Sequence, residues 1–370
     1  MATRAEVIGQ LTASGSPFEL EVVDIHGYPI RVYKNAHRNL REIWDRAAQR
    51  GDDAYFIYND VVTTYGQADK EITSLAAWLF ENGIRKGDRV AVGMRNYPEF
   101  AIAFWAIQSI GAVMVSLNAW WIGEELKYAL KDSGAIAAIL DGERQERLTS
   151  EMMQELGVRL VVATRGEARS DTTEWAEAVG NTAAVLPQVE IGPEDDATIL
   201  YTSGTTGFPK GAAGSHRNYV TNVWNALFSV GVASVMAGGA IPDPHADRPH
   251  VNALSTFPFF HIAGLCGMIS STNNGTTIVT QFKWDATDAL RLVDRYKINQ
   301  IGGVPTVIRS FIEHPDRNQY DLSSLVNIAQ GGAPVAPDTI ARIESDFAGK
   351  VSPGNGYGLT ETTAGCIANA

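Results

Sequence analysis

The stretch VAVGMRNYPEFAIAFWAIQSIGAVMVS, Val90 to Ser116, decides the fold. It places two short β-branched runs, VAVGM and AVMVS, on either side of a longer apolar segment from Glu99 to Ile110. Apolar runs without polar alternation are typical of strands that are covered on both faces of a parallel sheet. The segment between the two runs has the length of a crossover helix. The stretch therefore predicts a buried strand–helix–strand unit.

The same alternation continues along the chain. Helical periodicity covers Glu124 to Lys131, and AIAAIL, Ala135 to Leu140, predicts the next strand. Long apolar runs become sparse between residues 164 and 197, which indicates a boundary there. We predict an α/β fold of two doubly wound, mostly parallel sheet lobes with flanking helices, over residues 1–180 and 181–370. Further helices are predicted over residues 218–230, 261–271 and 285–296, and further strands at residues 197–201, 251–257, 276–282 and 299–305.

Composition narrows the class of protein. The chain has 370 residues, which is long enough for two lobes, because single cores seldom grow beyond roughly 250–300 residues. The net charge is −12, which argues against a nucleic-acid or anionic-membrane surface. Cys266 and Cys366 are the only cysteines, so we expect no disulfide framework and a reducing, cytoplasmic location.

One segment imitates a membrane span. Residues 100–123 carry no charge and are long enough to cross a bilayer. Gln108 and Ser109 interrupt the segment, and Gly111 stands where a helix would end. We therefore expect a buried helix followed by a strand, and no transmembrane span. A peripheral membrane contact and a homodimer stay open.

The strongest motif is YTSGTTGFPKGA, Tyr201 to Ala212, directly after a predicted strand. Its glycines allow the backbone to turn successive N–H groups toward an anion, its hydroxyl side chains add donors, and its lysine adds a compact positive charge. These residues are Gly204, Gly207 and Gly211, then Thr202, Ser203, Thr205 and Thr206, and Lys210. The motif predicts a phosphate-binding loop, with a Gly/Thr-rich surface turn as the alternative.

The loop is not a Walker A motif. That motif needs Ser or Thr directly after its Gly-Lys pair, whereas here Pro209 precedes Lys210 and Gly211 follows it. A P-loop kinase or ATPase is therefore disfavoured. The segment resembles instead the phosphate loop of the adenylate-forming (ANL) superfamily. This superfamily includes acyl-CoA synthetases (AMP-dependent synthetases and ligases), adenylation domains of peptide synthetases and firefly-type luciferases.

A second segment, NGYGLTETTA from Asn355 to Ala364, supports the resemblance. Glu361 offers the oxygen ligand that Mg²⁺ prefers, although a single exposed acid is more often unligated. The resemblance implies that Thr360 contacts the α-phosphate, that Glu361 holds Mg²⁺ together with Thr205, and that Tyr357 lies against adenine. Nucleotide-binding residues implied in the same way are Asn355, Gly356 and Gly358, together with Gly331, Gly332, Ala333 and Pro334 of the turn GGAP.

Two further segments resemble the acyl-binding region of the family. In FPFFHIAGL, residues 257–265, the resemblance places His261 at a gate between acyl pocket and CoA tunnel and Gly264 on the pocket wall. In GGVPT, residues 302–306, it places Gly303 and Val304 beside the acyl channel. We expect His261 to shape the site, because a histidine beside an apolar run is more often packed than catalytic. No acid lies between residues 251 and 282, which favours an acid with an uncharged tail over an amino acid.

The resemblance implies a two-step reaction. A carboxylic acid, fatty or otherwise hydrophobic, attacks the α-phosphorus of MgATP to give acyl-AMP and pyrophosphate, and CoA then displaces AMP. Lys210, Thr360 and Glu361 are the implied catalytic residues, with the ATP/AMP and acyl site in the second lobe. Two alternatives stay open: a non-catalytic sensor of nucleotide or acyl-adenylate on the same fold, and a peptide-synthetase adenylation domain.

The sequence stops at Ala370, nine residues after Glu361. Family members continue through a β-barrel segment, a hinge and a small mobile C-terminal domain that bears a catalytic lysine. The resemblance therefore implies that these parts are absent from this sequence. We expect such a chain to bind nucleotide weakly and to be severely impaired in adenylation.

Overall fold

A computed structural model of the protein describes residues 2–202 and 209–369. The helices are α1 (Arg4–Thr12), α2 (Leu40–Ala47), α3 (Tyr65–Glu81), α4 (Pro98–Ser109), α5 (Gly123–Ser133), α6 (Gly142–Arg147), α7 (Ser150–Glu155), α8 (Trp175–Ala178), α9 (His216–Met236), α10 (Ile262–Asn274), α11 (Ala286–Tyr296), α12 (Pro305–Ile312) and α13 (Pro337–Asp346). The strands are β1 (Leu20–Ile25), β2 (Tyr28–Tyr33), β3 (Ala54–Tyr58), β4 (Val61–Thr64), β5 (Arg89–Gly93), β6 (Val113–Ser116), β7 (Ala137–Asp141), β8 (Leu160–Thr164), β9 (Thr173–Glu174), β10 (Asp196–Thr202), β11 (Lys210–Ser215), β12 (Asn252–Ser255), β13 (Thr277–Thr280), β14 (Gln300–Gly303), β15 (Asn327–Gly331), β16 (Ser352–Leu359) and β17 (Ala364–Asn369). Short 3-10 turns cover Ala48–Arg50, Arg317–Gln319 and Thr360–Thr362.

Two large sheets organise the chain. Within the described ranges the first sheet has the strand order β11-β10-β6-β5-β7-β8-β9, and the second has the order β17-β16-β15-β14-β12-β13-β3-β4. In the first sheet only the β10–β11 pair is antiparallel, and in the second only the outer pairs β16–β17 and β3–β4 are. The predicted α/β fold of mostly parallel, doubly wound sheets is confirmed.

The central strands are apolar on both faces, as their sequences predict. β5 is buried apart from its first residue, and β6 and β7 are buried throughout. Helix α4 begins at Pro98, whose fixed φ suits the first helical position, and ends before Gly111, whose φ is +67°. All but one of its residues are buried between neighbouring elements, which explains why the segment imitates a membrane span. The prediction of a buried helix that feeds a strand is confirmed.

No helix among residues 2–202 and 209–369 has both the length and the apolar character that crossing a bilayer requires.

The sheets do not follow the predicted division of the chain at residue 180. β3 and β4, at residues 54–64, belong to the second sheet, where Phe56 pairs with Ile278 of β13. β10 and β11, at residues 196–215, belong to the first sheet, where Thr198 pairs with Met114 of β6. The sequences of these strands do not indicate which neighbour each one pairs with, because parallel partners such as β3 and β13 are distant in the chain. The division into two domains remains a prediction.

Candidate active site

The two sheets meet around one cavity of about 620 Å³, which we call the central cavity. Its walls come from the segments that follow the carboxyl ends of parallel strands in both sheets, the place where open α/β sheets bind ligands. The lining residues are Arg95 and Asn96 after β5, Asn118 and Trp120 after β6, Thr256, Phe257, Pro258, Phe260 and His261 after β12, Gln281, Phe282, Lys283 and Trp284 after β13, Val304 and Val307 after β14, and Gly332 after β15. The lining is mostly apolar and aromatic, as expected for a small-molecule site.

Three of the predicted residues, His261, Val304 and Gly332, line this cavity together. Gly264 and Gly303 do not line the cavity but pack directly against residues that do. A Cβ atom on Gly264 would lie 2.0 Å from the carbonyl oxygen of Pro258, and one on Gly303 would lie 2.6 Å from the Oγ1 atom of Thr256. The structure therefore brings the predicted acyl-pocket segments to one place, and both glycines allow close packing behind the cavity lining.

His261 stands at the N-terminus of α10. Its Nδ1 atom accepts a hydrogen bond of 3.3 Å from the backbone N–H of Ala263 and so caps the helix. Desolvation by the surrounding protein lowers the pKa of His261 below its ordinary value. The side chain is therefore neutral at pH 7 and can serve as a hydrogen-bonding wall residue.

Asn96 connects the two sheets at the cavity. Its side chain donates to the carbonyl of Phe257 and accepts from the N–H of Phe259, both at 2.8 Å. Its own carbonyl accepts from the hydroxyl of Thr280 at 3.1 Å. The sequence analysis did not single out Asn96. The sequence feature that could have indicated Asn96 is its position as a polar residue shortly after the buried strand β5.

The described part of the predicted phosphate loop is the base of the β10–β11 hairpin. Thr202 pairs with Lys210, and the Thr202 hydroxyl donates to the Lys210 carbonyl at 3.4 Å. The hydroxyl of Tyr128 donates to the carbonyl of Pro209 at 3.1 Å, which anchors the returning strand. The Lys210 side chain is exposed. The remaining predicted loop residues, Ser203, Gly204, Thr205, Thr206 and Gly207, lie outside the described residues.

The 3-10 turn Thr360–Thr362 lies against β11, the strand that begins at Lys210. The carbonyl of Thr363 accepts a hydrogen bond of 2.8 Å from the side chain of Asn222 in α9. Thr363 and Ala364 both have positive φ, of 53° and 69°, which is rare for residues with a Cβ atom and marks a constrained backbone. This sharp bend sets Thr360 and Glu361 beside the strand that carries Lys210.

The predicted adenine-site residues occupy neighbouring strand ends of the second sheet. Gly331, at the end of β15, pairs with Gly356 of β16, and a Cβ atom on Gly331 would lie 2.9 Å from the Gly356 carbonyl oxygen. Asn355 and Tyr357 share one face of β16, because alternate strand residues do, and Tyr357 is 58% exposed. Gly332, Ala333 and Pro334 follow β15, and Gly358 follows Tyr357. The turn and the strand thus form one continuous, accessible edge.

The donor set at this edge suits a metal that is held mainly by a substrate. Among the described residues, no group of three or more His, Cys, Asp or Glu side chains could hold a metal ion. Glu361 is exposed, and no residue of ranges 2–202 and 209–369 forms a hydrogen bond or ion pair with its carboxylate. Mg²⁺ commonly binds through one or two carboxylates and substrate phosphates, so a free carboxylate at this position fits.

A profile of the AMP-binding enzyme family matches residues 43–370, and the chain belongs to this family. A feruloyl-CoA synthase from Amycolatopsis sp is 31% identical over 306 residues, which make up 82% of this chain and 55% of that protein. The long-chain-fatty-acid–CoA ligase FadD13 of Mycobacterium tuberculosis is 30% identical over 312 residues, 83% of this chain and 56% of that protein. The chain thus spans little more than half the length of these curated relatives. The predicted membership of the adenylate-forming superfamily is confirmed.

The fold has a solved counterpart. The inhibitor-bound crystal structure of the N-terminal domain of FACL13 from Mycobacterium tuberculosis superimposes with a TM-score of 0.73 at 26% identity. The match covers 90% of this chain and 78% of that one. The architecture described above is therefore that of an N-terminal domain in this family.

Proposed function

We propose that this chain forms the nucleotide- and acid-binding part of an AMP-forming acid–thiol ligase. The reaction converts a carboxylic acid with a hydrophobic body, ATP and CoA into an acyl-CoA thioester, AMP and pyrophosphate. The observation that carries the proposal is the convergence of His261, Val304 and Gly332 on one aromatic cavity at the carboxyl ends of both sheets. Family membership and the CoA ligases among the relatives support the reaction class.

In the first step a carboxylate oxygen attacks the α-phosphorus of ATP, and pyrophosphate leaves. The two reactants are both anions, so the protein contributes mainly by holding them together and by stabilising charge. Lys210 at the base of the β10–β11 hairpin supplies a positive charge for the leaving phosphates. Thr360, in the turn packed against β11, supplies a hydroxyl for the α-phosphate. No side-chain nucleophile is needed.

Glu361 is the carboxylate that would hold Mg²⁺, together with Thr205, which lies outside the described residues. The ion, when bound, screens the negative charge of the phosphates. The exposed position of Glu361 leaves its carboxylate available for this role.

In the second step the thiolate of CoA attacks the acyl carbonyl carbon, and AMP leaves. His261 lines the cavity and is neutral at pH 7, since its pKa is lowered. It is therefore assigned to positioning and not to carrying a positive charge. Gly264 packs against the backbone of Phe257 and Pro258, which line the cavity.

The cavity favours an acid without an ammonium group. None of its lining residues is Asp or Glu, whereas its walls carry Trp120, Phe257, Phe260, Phe282 and Trp284. A buried ammonium without a carboxylate partner is costly, so amino acids are disfavoured as substrates. A volume of about 620 Å³ accommodates an aryl acid or a medium-length aliphatic chain.

Acid-dependent release of pyrophosphate from MgATP tests the proposal. We would measure it with the purified protein across fatty, aryl and amino acids, with and without CoA, and identify thioesters by mass spectrometry. We expect release with a hydrophobic acid and a loss of roughly 10²–10³-fold in the Lys210→Ala variant. Lys70→Ala, which removes an exposed lysine of α3, is the matched control. Nucleotide binding without release for any acid would contradict the ligase and favour a sensor.

A further inference from the structure

The guanidinium of Arg95 lies in the wall of the central cavity beside two aromatic rings. Its Cζ atom is 5.6 Å from the ring centre of Trp120 and 5.4 Å from that of Phe282. Its Nε atom is buried and has no hydrogen-bond partner among residues 2–202 and 209–369. No carboxylate in the described parts of the chain forms an ion pair with it. Arg95 is thus a cation in a largely apolar cavity, and the described residues leave its Nε donor unused.

Contact with the rings explains where the guanidinium lies but not why its Nε donor is unused. A cation–π contact attracts the positive charge to the rings and satisfies none of the N–H donors of the group. Another arginine of this chain shows the usual arrangement. Arg165 lies over the rings of Tyr58 and Tyr97, at 5.2 Å from each, and its Nε atom donates to Glu99 at 2.8 Å. Arg165 therefore has both aromatic contacts and a carboxylate partner, whereas Arg95 has only the aromatic contacts among the described residues.

The carboxylate that contacts the backbone of Arg95 is already engaged. Asp141 accepts a hydrogen bond from the backbone N–H of Arg95 at 3.3 Å, but its two oxygens bind the side chain of the buried Arg144. The other cation of the cavity lining is Lys283, which is exposed, and the lining contains no acid. The central cavity therefore has positive charge without a matching negative charge, so it favours an anionic ligand group.

We propose that Arg95 binds a second carboxylate of the acid substrate, at the end remote from the reacting carboxyl group. The central cavity then selects dicarboxylic acids with a hydrophobic body. This inference rests on the proposed function, which sets the reacting carboxyl group at the α-phosphate beside Thr360, in the turn that follows β16 of the second sheet. Arg95 follows β5 of the first sheet.

The geometry of the group favours a carboxylate over a polyphosphate. The guanidinium lies beside two rings, and its planar edge matches the two oxygens of a carboxylate. The phosphates of CoA carry several charges and require several donors, whereas Lys283 is the only other cation that the lining supplies. One planar cation in an aromatic cavity suits one carboxylate on an apolar chain.

The test compares matched pairs of ligands. The probes are 5′-O-acylsulfamoyl adenosines, stable analogues of acyl-AMP, made from adipic, suberic and sebacic acids and from hexanoic, octanoic and decanoic acids. Their affinities for this chain are measured by calorimetry, and by the fluorescence of Trp120 and Trp284 in the cavity wall. We expect the best dicarboxylic analogue to bind about tenfold more tightly than the monocarboxylic analogue of equal length.

Variants test whether Arg95 causes the preference for the dicarboxylic analogue. Arg95→Met places an apolar side chain beside the rings and is expected to abolish that preference. Arg95→Lys, a charge without the planar edge, is expected to restore part of it. Arg165→Met, which removes a stacked arginine outside the cavity, is expected to leave the preference unchanged. Circular dichroism checks the fold of each variant, and the comparison of ligands in the unmodified chain does not depend on any variant.

Three results would overturn the inference. Equal binding of both analogues in every pair, with no effect of Arg95→Met, would refute the second carboxylate and leave the proposed function intact. A loss of CoA affinity in Arg95→Met without discrimination between paired analogues would assign Arg95 to a phosphate of CoA. If the folded chain bound none of the analogues, the proposed function would fail, and the inference with it.

Discussion

At the scale of single residues, Gly264 determines how closely α10 approaches the wall of the central cavity. A Cβ atom there would lie 2.0 Å from the carbonyl oxygen of Pro258 and 2.9 Å from that of Phe257. Both obstacles are backbone atoms, which cannot move aside as the end of a side chain can. We predict that Gly264→Ala displaces this wall, costs about 1–3 kcal/mol in unfolding free energy and weakens binding of acyl-adenylate analogues.

Gly267 is the matched control for this substitution. It lies in the same helix, and a Cβ atom on it would have no neighbour within 4 Å. Gly267→Ala is expected to raise the unfolding free energy by about 0.5–1 kcal/mol, because alanine favours the helix. Urea unfolding of both variants measures the difference. Equal midpoints for the two variants would show that the contact at Gly264 relaxes without cost.

At the scale of elements, a buried carboxylate joins the ends of β5 and β7 to α6. Asp141, the last residue of β7, is 1% exposed and caps α6 by accepting from the backbone N–H of Arg144 at 3.1 Å. It also accepts from the Nε atom of the fully buried Arg144 at 2.5 Å and from the backbone of Arg95. The position of Arg95 in the cavity wall therefore depends on this connection.

Arg144→Met is expected to cost about 3–5 kcal/mol, because it leaves the charge of Asp141 buried without a partner. Adding Asp141→Asn should recover part of that loss, since it removes the unpaired charge and retains the oxygen that caps α6. Chemical denaturation of the single and double variants measures this. Glu155→Gln, which breaks the solvent-exposed pair with Lys127, is the control and is expected to cause no measurable change. A single Arg144→Met variant as stable as the parent would refute the assigned role.

At the scale of the whole molecule, acid is expected to destabilise the fold through buried histidines. Burial lowers the pKa of His216 to about 4, and burial lowers that of His37 to about 4 as well. The unfolded chain binds protons near pH 6.5, whereas the folded chain binds them only near pH 4. The histidines therefore do not reduce the unfolding free energy above pH 6.5, and the unfolding free energy falls as the pH drops from 6.5 toward 4. For His216 alone the slope is at most about 1.4 kcal/mol per pH unit.

His216→Asn separates this effect from the titration of carboxylates. The Nδ1 atom of His216 accepts from the backbone N–H of Leu40 at 3.2 Å, and an asparagine oxygen can replace it as an acceptor without titrating. Urea unfolding at several pH values between 7 and 5 should give a shallower slope for the variant than for the parent. Identical slopes would show that His216 does not carry the effect.

Local patterns in the sequence predicted the secondary structure well around the first sheet. The strand predicted at residues 90–94 is Arg89–Gly93, and the helix predicted at residues 99–110 is Pro98–Ser109. These limits are local, because Pro98 and the left-handed Gly111 set them within a few residues. The glycine, hydroxyl and carboxylate patterns of the family motifs also predict what each segment can bind, and these binding roles stay predictions.

The sequence by itself thus determined the fold class and the family, because propensity, capping and motif chemistry act over a few neighbouring positions. Only the tertiary structure decided that β3 pairs with β13 and β10 with β6, so that each sheet combines distant parts of the chain. Only the tertiary structure placed Arg95 beside Trp120 and Phe282, although these three residues follow three different strands. The physical reason is that strand pairing depends on how the whole core packs and not on the local sequence of each strand. The cavity forms where this pairing brings the ends of separate strands together.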